Sequence, residues 1–93
     1  MDDATNARTP LLLIRASKSR GGDHWSPDDY DVRDDGGRVV GRIFRTPQAP
    51  KDRPWFWTIV QGIPMSITNR GYSPSREDAM AEFKNRWMSA SVR

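Results

Sequence analysis

Hydrophobic and polar side chains alternate most regularly in residues 54–60, Pro-Trp-Phe-Trp-Thr-Ile-Val. An alternation with a period of two predicts a β-strand, because successive side chains of a strand point to opposite faces of a sheet. Large aromatic side chains are usually buried, so we expect at least the face that carries Trp57 to lie in the core. The alternative is an exposed aromatic platform on which bases stack. The two faces carry Trp55, Trp57 and Ile59 on one side, and Phe56, Thr58 and Val60 on the other.

Two more strands are predicted before this one. Residues 30–33 alternate between apolar and charged side chains, which is typical of a half-buried strand. The following Asp34-Asp35-Gly36-Gly37 indicates a hairpin turn, because glycine readily adopts positive φ. Residues 38–45 then form the second strand, in which Gly41 indicates a bulge or a close neighbour above it. The faces of this strand carry Val39, Gly41 and Ile43 on one side, and Arg38, Val40, Arg42 and Phe44 on the other.

A helix is predicted at the end of the chain. Ser75 followed by Asp78 resembles a capping box, in which the serine side chain caps the first turn. The apolar residues that follow recur every three or four positions and form one stripe, which is typical of an amphipathic helix. We expect this stripe to pack on the sheet, the alternative being a helix that binds a partner. The stripe consists of Ala79, Met80, Phe83 and Trp87.

Two segments are less regular than these elements. Leu11 to Ile14 form a short apolar run before a segment of linker composition, so residues 11–15 are either an edge strand or an arm that docks on a partner. Met65 to Thr68, between turn-forming residues, could add a short fourth strand. We therefore predict a flexible arm over residues 1–23 and a single small α+β domain over residues 24–93. That domain would be a three-stranded or four-stranded antiparallel sheet packed on one C-terminal amphipathic helix.

The composition argues against several classes of protein function. The 93 residues include no cysteine, which excludes disulfides and thiolate zinc sites and suits a cytoplasmic location. The longest aliphatic run has four residues, too few to span a bilayer, so we predict no membrane partner. His24 is the only histidine, and a turn residue is the simpler interpretation than a catalytic base. No phosphate-binding glycine motif or calcium-loop pattern occurs. The sequence thus predicts no enzyme activity, no catalytic residue, no metal and no cofactor.

The positive charge is concentrated in the middle of the chain. The net charge is +3, but residues 36–75 alone hold six basic residues and one acidic residue. This distribution either attracts a polyanion or marks a solvated sheet edge and loops. We predict a non-enzymatic domain that binds nucleic acid, DNA above all, through a basic sheet face. The alternative is a protein-interaction module or homodimer that uses the same face. The predicted nucleic-acid-binding residues are Arg33, Arg38, Arg42, Arg45 and Arg53.

Two resemblances bear on these expectations. The run Trp55-Phe56-Trp57-Thr58-Ile59, with Gly71-Tyr72 and residues 75–84, resembles small uncharacterised bacterial proteins over about residues 24–90 and implies no activity. In outline, the chain is also similar to the plant ethylene-response-factor DNA-binding domain and to integrase arm-binding domains. Tyr30, Val32, Arg33, the basic second strand and Gly71-x-x-x-Ser75-x-Glu77-Asp78-Ala79 follow that family's order.

This second resemblance implies three strands, a C-terminal helix and DNA reading by arginines and tryptophans of the sheet. The chain departs from the family between Trp57 and Gly71, where it has a longer segment. It also lacks the tryptophan that the family has in the second strand. The resemblance therefore applies at the level of the fold.

Overall fold

The computed structural model describes residues 11–22 and 25–91 of the chain. The interpretation of His24 as a turn residue lies outside the described residues, as do the predicted domain start at residue 24 and residues 1–10 of the predicted arm.

Five antiparallel strands form one sheet in the order in which they occur along the chain. The α+β class is confirmed, but the sheet has five strands where three or four were predicted, because β5 was missed and β1 was only one of two alternatives for its segment. The strands are β1 (Leu12–Arg15), β2 (Asp29–Arg33), β3 (Val39–Arg45), β4 (Trp55–Ile59) and β5 (Arg70–Ser73); the helices are α1 (Ala16–Arg20), a 3₁₀-helix (Ile67–Asn69) and α2 (Arg76–Ser91).

The core lies between α2 and the centre of the sheet. Trp57 on β4 and Phe83 on α2 are 5% and 0% exposed, and their ring centroids are 6.1 Å apart. The indole nitrogen of Trp57 also donates a hydrogen bond of 3.0 Å to Oε1 of Glu82. The predictions that the Trp57 face is buried and that the helical stripe packs on the sheet are therefore confirmed.

Two contacts hold the first turn of α2 in place. The backbone N–H of Asp78 donates to Oγ of Ser75 at 3.0 Å, which confirms the predicted cap. Arg76 donates to the hydroxyl of Tyr30 at 2.8 Å, and its guanidinium carbon lies 5.2 Å from the centroid of that ring. The start of the helix is thus fixed to β2 as well as to its own cap.

A β-bulge in β3 moves one residue from the predicted face into the core. Val32 pairs with Gly41 and Arg33 pairs with Val39, so Val40 is an extra residue without a partner on β2. Val40 is completely buried in the core cluster, and its predicted place on the opposite face is wrong because the bulge interrupts the period of two. Both alternatives predicted from Gly41 are confirmed: the bulge lies next to it, and an added Cβ would lie 2.3 Å from the Phe83 ring.

The last strand lies beyond the segment predicted for it. Met65 to Thr68 form a loop and the start of the 3₁₀-helix, so the strand predicted there is wrong, and β5 follows directly. Gly71 of β5 lies opposite Trp57, and an added Cβ there would meet the indole at 3.0 Å. The large Trp57 ring therefore fills the space that a side chain on this part of β5 would need.

The first strand and the short helix belong to the folded domain. β1 pairs with β2 along its whole length, which confirms the edge-strand alternative for residues 11–15. α1 follows at once, and Ala16 is completely buried. Both elements fall inside residues 1–23, the predicted arm. In the described part of the chain, no helix combines the length and the apolar character that crossing a bilayer requires.

Candidate functional site

The sheet face opposite α2, here called the open face, carries the side chains that alternate with the core positions. Paired residues on neighbouring strands share a face, and Ile43 paired with Trp57 marks the core side. The predicted positions of Arg42, Phe44, Phe56 and Thr58 on the other side are confirmed by this register. The open face carries Asp29, Asp31 and Arg33 from β2, Arg42 and Phe44 from β3, Phe56 and Thr58 from β4, and Arg70 and Tyr72 from β5.

Three aromatic rings form a row across β3, β4 and β5 on this face. Phe44 is paired with Phe56, and Phe56 with Tyr72, so the register alone brings the rings together. The ring centroids are 5.4 Å and 5.1 Å apart, and the rings are inclined to each other by 63° and 52°. Phe44 and Phe56 are half-buried, whereas Tyr72 on the edge strand is 39% exposed. We call these three residues the aromatic row.

Arg42 is held in place at one end of the aromatic row. Its guanidinium makes two hydrogen bonds to the carboxylate of Asp29, at 3.0 Å and 2.6 Å. Its guanidinium carbon lies 4.3 Å from the centroid of Phe44, a distance typical of a cation–π contact. Arg42 therefore covers part of Phe44 and leaves Phe56 and Tyr72 as the more accessible end of the row.

Arg70 lies beside that accessible end. It pairs with Thr58, two residues along from the pair of Phe56 and Tyr72, and so projects from the same face. The side chain is exposed, and among residues 11–22 and 25–91 no carboxylate or hydrogen-bond acceptor holds its guanidinium. Arg70 is thus an available cation next to an exposed ring.

α1 covers the opposite side of the open face, over β1 and β2. Arg20 donates from Nε to Asp31 at 3.1 Å and from Nη2 to the same carboxylate, and it lies 3.5 Å from Asp29. Arg33 donates to Oγ of Ser19 at 2.8 Å. Trp25 packs on Arg20 with 4.5 Å between the guanidinium carbon and the ring centroid. Among the described residues, the part of the open face that α1 leaves uncovered is therefore the strip formed by β3, β4 and β5.

These contacts also set the charge on the covered side. Burial alone would raise the pKa of Asp31, but hydrogen bonds from Arg20 and Ser19, together with the positive charges of Arg20 and Arg42, lower that pKa overall. The pKa of Arg20 is raised, chiefly by its hydrogen bond to Asp31. Both carboxylates that the strands place on the open face are thus paired with an arginine, Asp31 with Arg20 and Asp29 with Arg42.

The structure does not bring the five predicted arginines together. Arg33 and Arg42 are on the open face but bind Ser19 and Asp29. Arg38 is exposed at the start of β3 and Arg45 at its end, separated by roughly 20 Å. Arg45 lines a surface cavity of about 460 Å³ with Lys51, and Arg53 lies 3.8 Å from Asp52.

Arg70 and Tyr72 are the residues that sequence reasoning missed. Their spacing of two around Gly71 is compatible with a strand, but an alternation of only two side chains is too short to identify one. Their place beside Phe56 depends on the pairing of β4 with β5. The only indication of Arg70 and Tyr72 in the sequence is their residue types, a basic and an aromatic residue two positions apart.

A second feature borders the strip at its Thr58–Arg70 end. The loop before β5 exposes Met65 by 93% and Ile67 by 83%. Together with Val60, these side chains line an open cavity of about 520 Å³ that Thr58 and Arg70 also line. Such exposure of large apolar side chains is uncommon and marks a surface that can bind an apolar partner.

No group of three metal-ligating side chains occurs in the described ranges, 11–22 and 25–91. Comparison of the chain with protein-family models, with curated proteins and with solved structures gives no match. The function of the chain is therefore inferred from the side chains of the open face.

Proposed function

We propose that this chain is a non-enzymatic binding domain whose open face binds nucleic acid. The observation that carries the proposal is the aromatic row next to Arg70, whose guanidinium has no partner among residues 11–22 and 25–91. Rings on an uncovered sheet face supply stacking surface, and a free guanidinium supplies a phosphate contact. Because the chain lacks cysteine, we place this activity in the cytoplasm.

The charges of the open face support a polyanionic ligand. Four arginines lie on this face or against it, and the two strand carboxylates there are already paired with two of them. The surplus is positive: Arg33, which binds the neutral Ser19, carries part of it, and Arg70 carries the rest at the accessible end of the row. A surplus of this kind attracts phosphates over a distance of about 10 Å at moderate salt. The four arginines are Arg20, Arg33, Arg42 and Arg70.

We expect the arginines predicted from the sequence to position other side chains or to make outlying contacts with nucleic acid. Arg42 positions Phe44, while the exposed Arg38, Arg45 and Arg53 are candidates for outlying phosphate contacts. Arg33 holds Ser19 of α1 and so helps to define the edge of the uncovered strip. Arg70 replaces them as the residue expected to make the central contact.

The experiment is fluorescence anisotropy of labelled oligonucleotides with the full chain at 50 mM and 200 mM salt. We expect binding that weakens as salt rises, because phosphate contacts release counterions. Arg70→Gln should weaken binding, whereas Lys84→Gln should not, since Lys84 is an equally charged, exposed side chain on α2. If neither single-stranded nor duplex nucleic acid binds at 50 mM salt, the proposal is wrong.

A second candidate function is favoured by the exposed Met65 and Ile67. Their cavity could receive an apolar side chain of a second copy of this chain, which would make the domain a homodimer. Sedimentation over a range of protein concentrations tests this candidate. A dimer that Ile67→Ser dissociates supports it, and a monomer at every concentration excludes it.

A further inference from the structure

We infer that the ligand of the open face is a single strand, with unpaired bases stacking on Tyr72 and Phe56 while Arg70 contacts a phosphate. This inference rests on the proposed function and makes it specific. The alternative within that function is a duplex bound through its backbone and its groove edges. Three features of the uncovered strip favour the single strand.

The first feature is the set of chemical groups that the strip exposes to a ligand. Its accessible end consists of ring surface, the hydroxyls of Thr58 and Tyr72, and one guanidinium. A duplex keeps the faces of its bases inside the stack and presents base edges and phosphates. An unpaired base exposes its faces, and stacking on an aromatic side chain is the general way in which proteins bind it. A ring-rich strip therefore suits unpaired bases.

The second feature is the position of Tyr72 at the rim of the sheet. β5 is the last strand of the sheet in the described part of the chain, and the Tyr72 ring is 39% exposed. Phe56 is half-buried between Phe44 and Tyr72, with its centroid 5.1 Å from that of Tyr72. Since Arg42 covers part of Phe44, the row offers space for about two bases, the first on Tyr72 and the second over Phe56.

The third feature is α1, which stands on the same face beside the strip. Arg20 and Ser19 bind the side chains of Asp31 and Arg33, so α1 lies over β1 and β2. The uncovered strands β3 to β5 span only about 10 Å, and a helix is about 10 Å thick. Because α1 stands beside the strip, it narrows the approach of a duplex, whose major groove of about 8.5 Å depth would have to receive the strip. A single strand is narrow enough to lie along the strip beside α1.

Charge then determines how the strand is held. Arg70 is two residues from Tyr72 on β5, so its guanidinium can reach the phosphate adjacent to a base stacked on that ring. No carboxylate of the described residues lies within ion-pair distance of Arg70, so none competes with the phosphate. Tyr72 supplies stacking and Arg70 supplies the charge contact, and the two contributions can be separated by mutation.

The test compares four labelled oligonucleotides of equal length: single-stranded DNA, single-stranded RNA, the DNA duplex, and a single strand with abasic sites in place of its bases. We expect the intact single strands to bind at least tenfold more tightly than the duplex and the abasic strand. The ratio of the DNA and RNA affinities shows which of the two is preferred. Tyr72→Ala should weaken binding of the preferred strand roughly 5- to 100-fold.

Two variants serve as matched controls. Tyr72→Phe keeps the ring and should bind within about twofold of the wild type if stacking is what matters. Arg70→Gln should lower the slope of log affinity against log salt by about one, whereas Tyr72→Ala should leave that slope unchanged. Circular dichroism of each variant shows whether it has folded, and the abasic strand tests stacking on the unmodified protein.

Each remaining outcome contradicts the inference in a recognisable way. If the duplex binds as tightly as the single strands, or the abasic strand binds as tightly as the intact one, the inference fails while nucleic-acid binding stands. If no oligonucleotide binds, the proposed function fails as well. If instead Tyr72→Ala dissociates a dimer of the chain, the open face belongs to a protein interface and both are overturned.

Discussion

The ring of Phe83 occupies the space above Gly41 that a side chain at that position would need. An added Cβ would lie 2.3 Å from Cε2 and 2.5 Å from Cζ of the ring. Phe83 is completely buried, so its ring has no room to move away. The absence of a side chain in the middle of β3 thus allows α2 to approach the sheet closely.

Gly41→Ala should lower the free energy of unfolding by about 3 kcal/mol or more, at the upper end of what overpacking costs. The new methyl group would also approach the carbonyl oxygen of Thr58 to 2.3 Å, and that backbone atom belongs to the sheet ladder. Urea unfolding monitored by tryptophan fluorescence measures the effect. Gly36→Ala is the control, because its added Cβ would have its nearest neighbour at 3.5 Å and should change stability by less than about 0.5 kcal/mol. Equal effects at the two positions would contradict the account of the core.

The carboxylate of Asp31 should make the domain sensitive to acid. Its pKa is lowered in the folded state, so its contribution to stability is present above the ordinary aspartate pKa of about 3.9 and is lost as the pH falls through the lower, folded pKa. Arg20→Gln removes the partner and should cost about 1–3 kcal/mol at neutral pH. It should also flatten the fall in stability below about pH 4, the ordinary pKa of an aspartate.

Urea unfolding at a series of pH values checks this expectation. Arg53→Gln is the control, since its 3.8 Å contact with Asp52 is solvent-exposed and surface pairs contribute little. A fall in stability below pH 4 that is as steep in Arg20→Gln as in the wild type would mean that another carboxylate causes it.

The hydroxyl of Tyr30 should contribute measurably to the docking of α2. Tyr30→Phe removes the acceptor for Arg76 but keeps the ring, which also lies 5.6 Å from the guanidinium carbon of Arg15. We expect a loss of about 1 kcal/mol, the usual value for one hydrogen bond. Tyr72→Phe provides the comparison in the same assay, because the Tyr72 hydroxyl has no hydrogen bond among the described residues. If both variants unfold at the same urea concentration as the wild type, the contact with Arg76 does not stabilise the helix.

Asp29 should limit the affinity of the open face for nucleic acid. Asp29→Asn removes a negative charge next to Arg42 while keeping an oxygen that can accept its hydrogen bond. We expect oligonucleotide affinity to rise about two- to fivefold at low salt. Asp52→Asn, which removes an exposed charge in the loop before β4, should have a smaller effect. Unchanged affinity in Asp29→Asn would place the bound phosphates away from Arg42.

The parts of the fold that follow local periodicity were predictable from the sequence. The alternation around Trp57, the helical spacing that includes Phe83, and the cap at Ser75 each need only neighbouring residues. Val40 was misplaced because Gly41 indicates a bulge but not which residue it inserts, and pairing with β2 decides that. β5 was missed because position 71 is a glycine, which leaves room for the Trp57 ring. A glycine there interrupts the alternation of apolar and polar side chains that would indicate a strand.

The site was predictable only as a set of side chains on one face. Alternation assigns Phe44 and Phe56 to that face, but the row with Tyr72 depends on the register between strands. The contact of α1 with β2 was not predictable, because Arg20 lies in a segment of linker composition and Asp31 is one of the charged residues of a predicted half-buried strand. Their ion pair joins charged residues 11 positions apart, and no periodic pattern indicates such a contact.

The order of the strands in the sheet, identical to their order along the chain, has a consequence for kinetics. Every strand pairing closes a hairpin between consecutive segments, and the shortest connection is that of residues 34–38 between β2 and β3. Proteins whose contacts are close in sequence fold faster than those that must join distant segments. We expect this hairpin to nucleate the sheet and the outer strands to be added to it in turn, so that the domain refolds within about milliseconds although its fold is built on a five-stranded sheet.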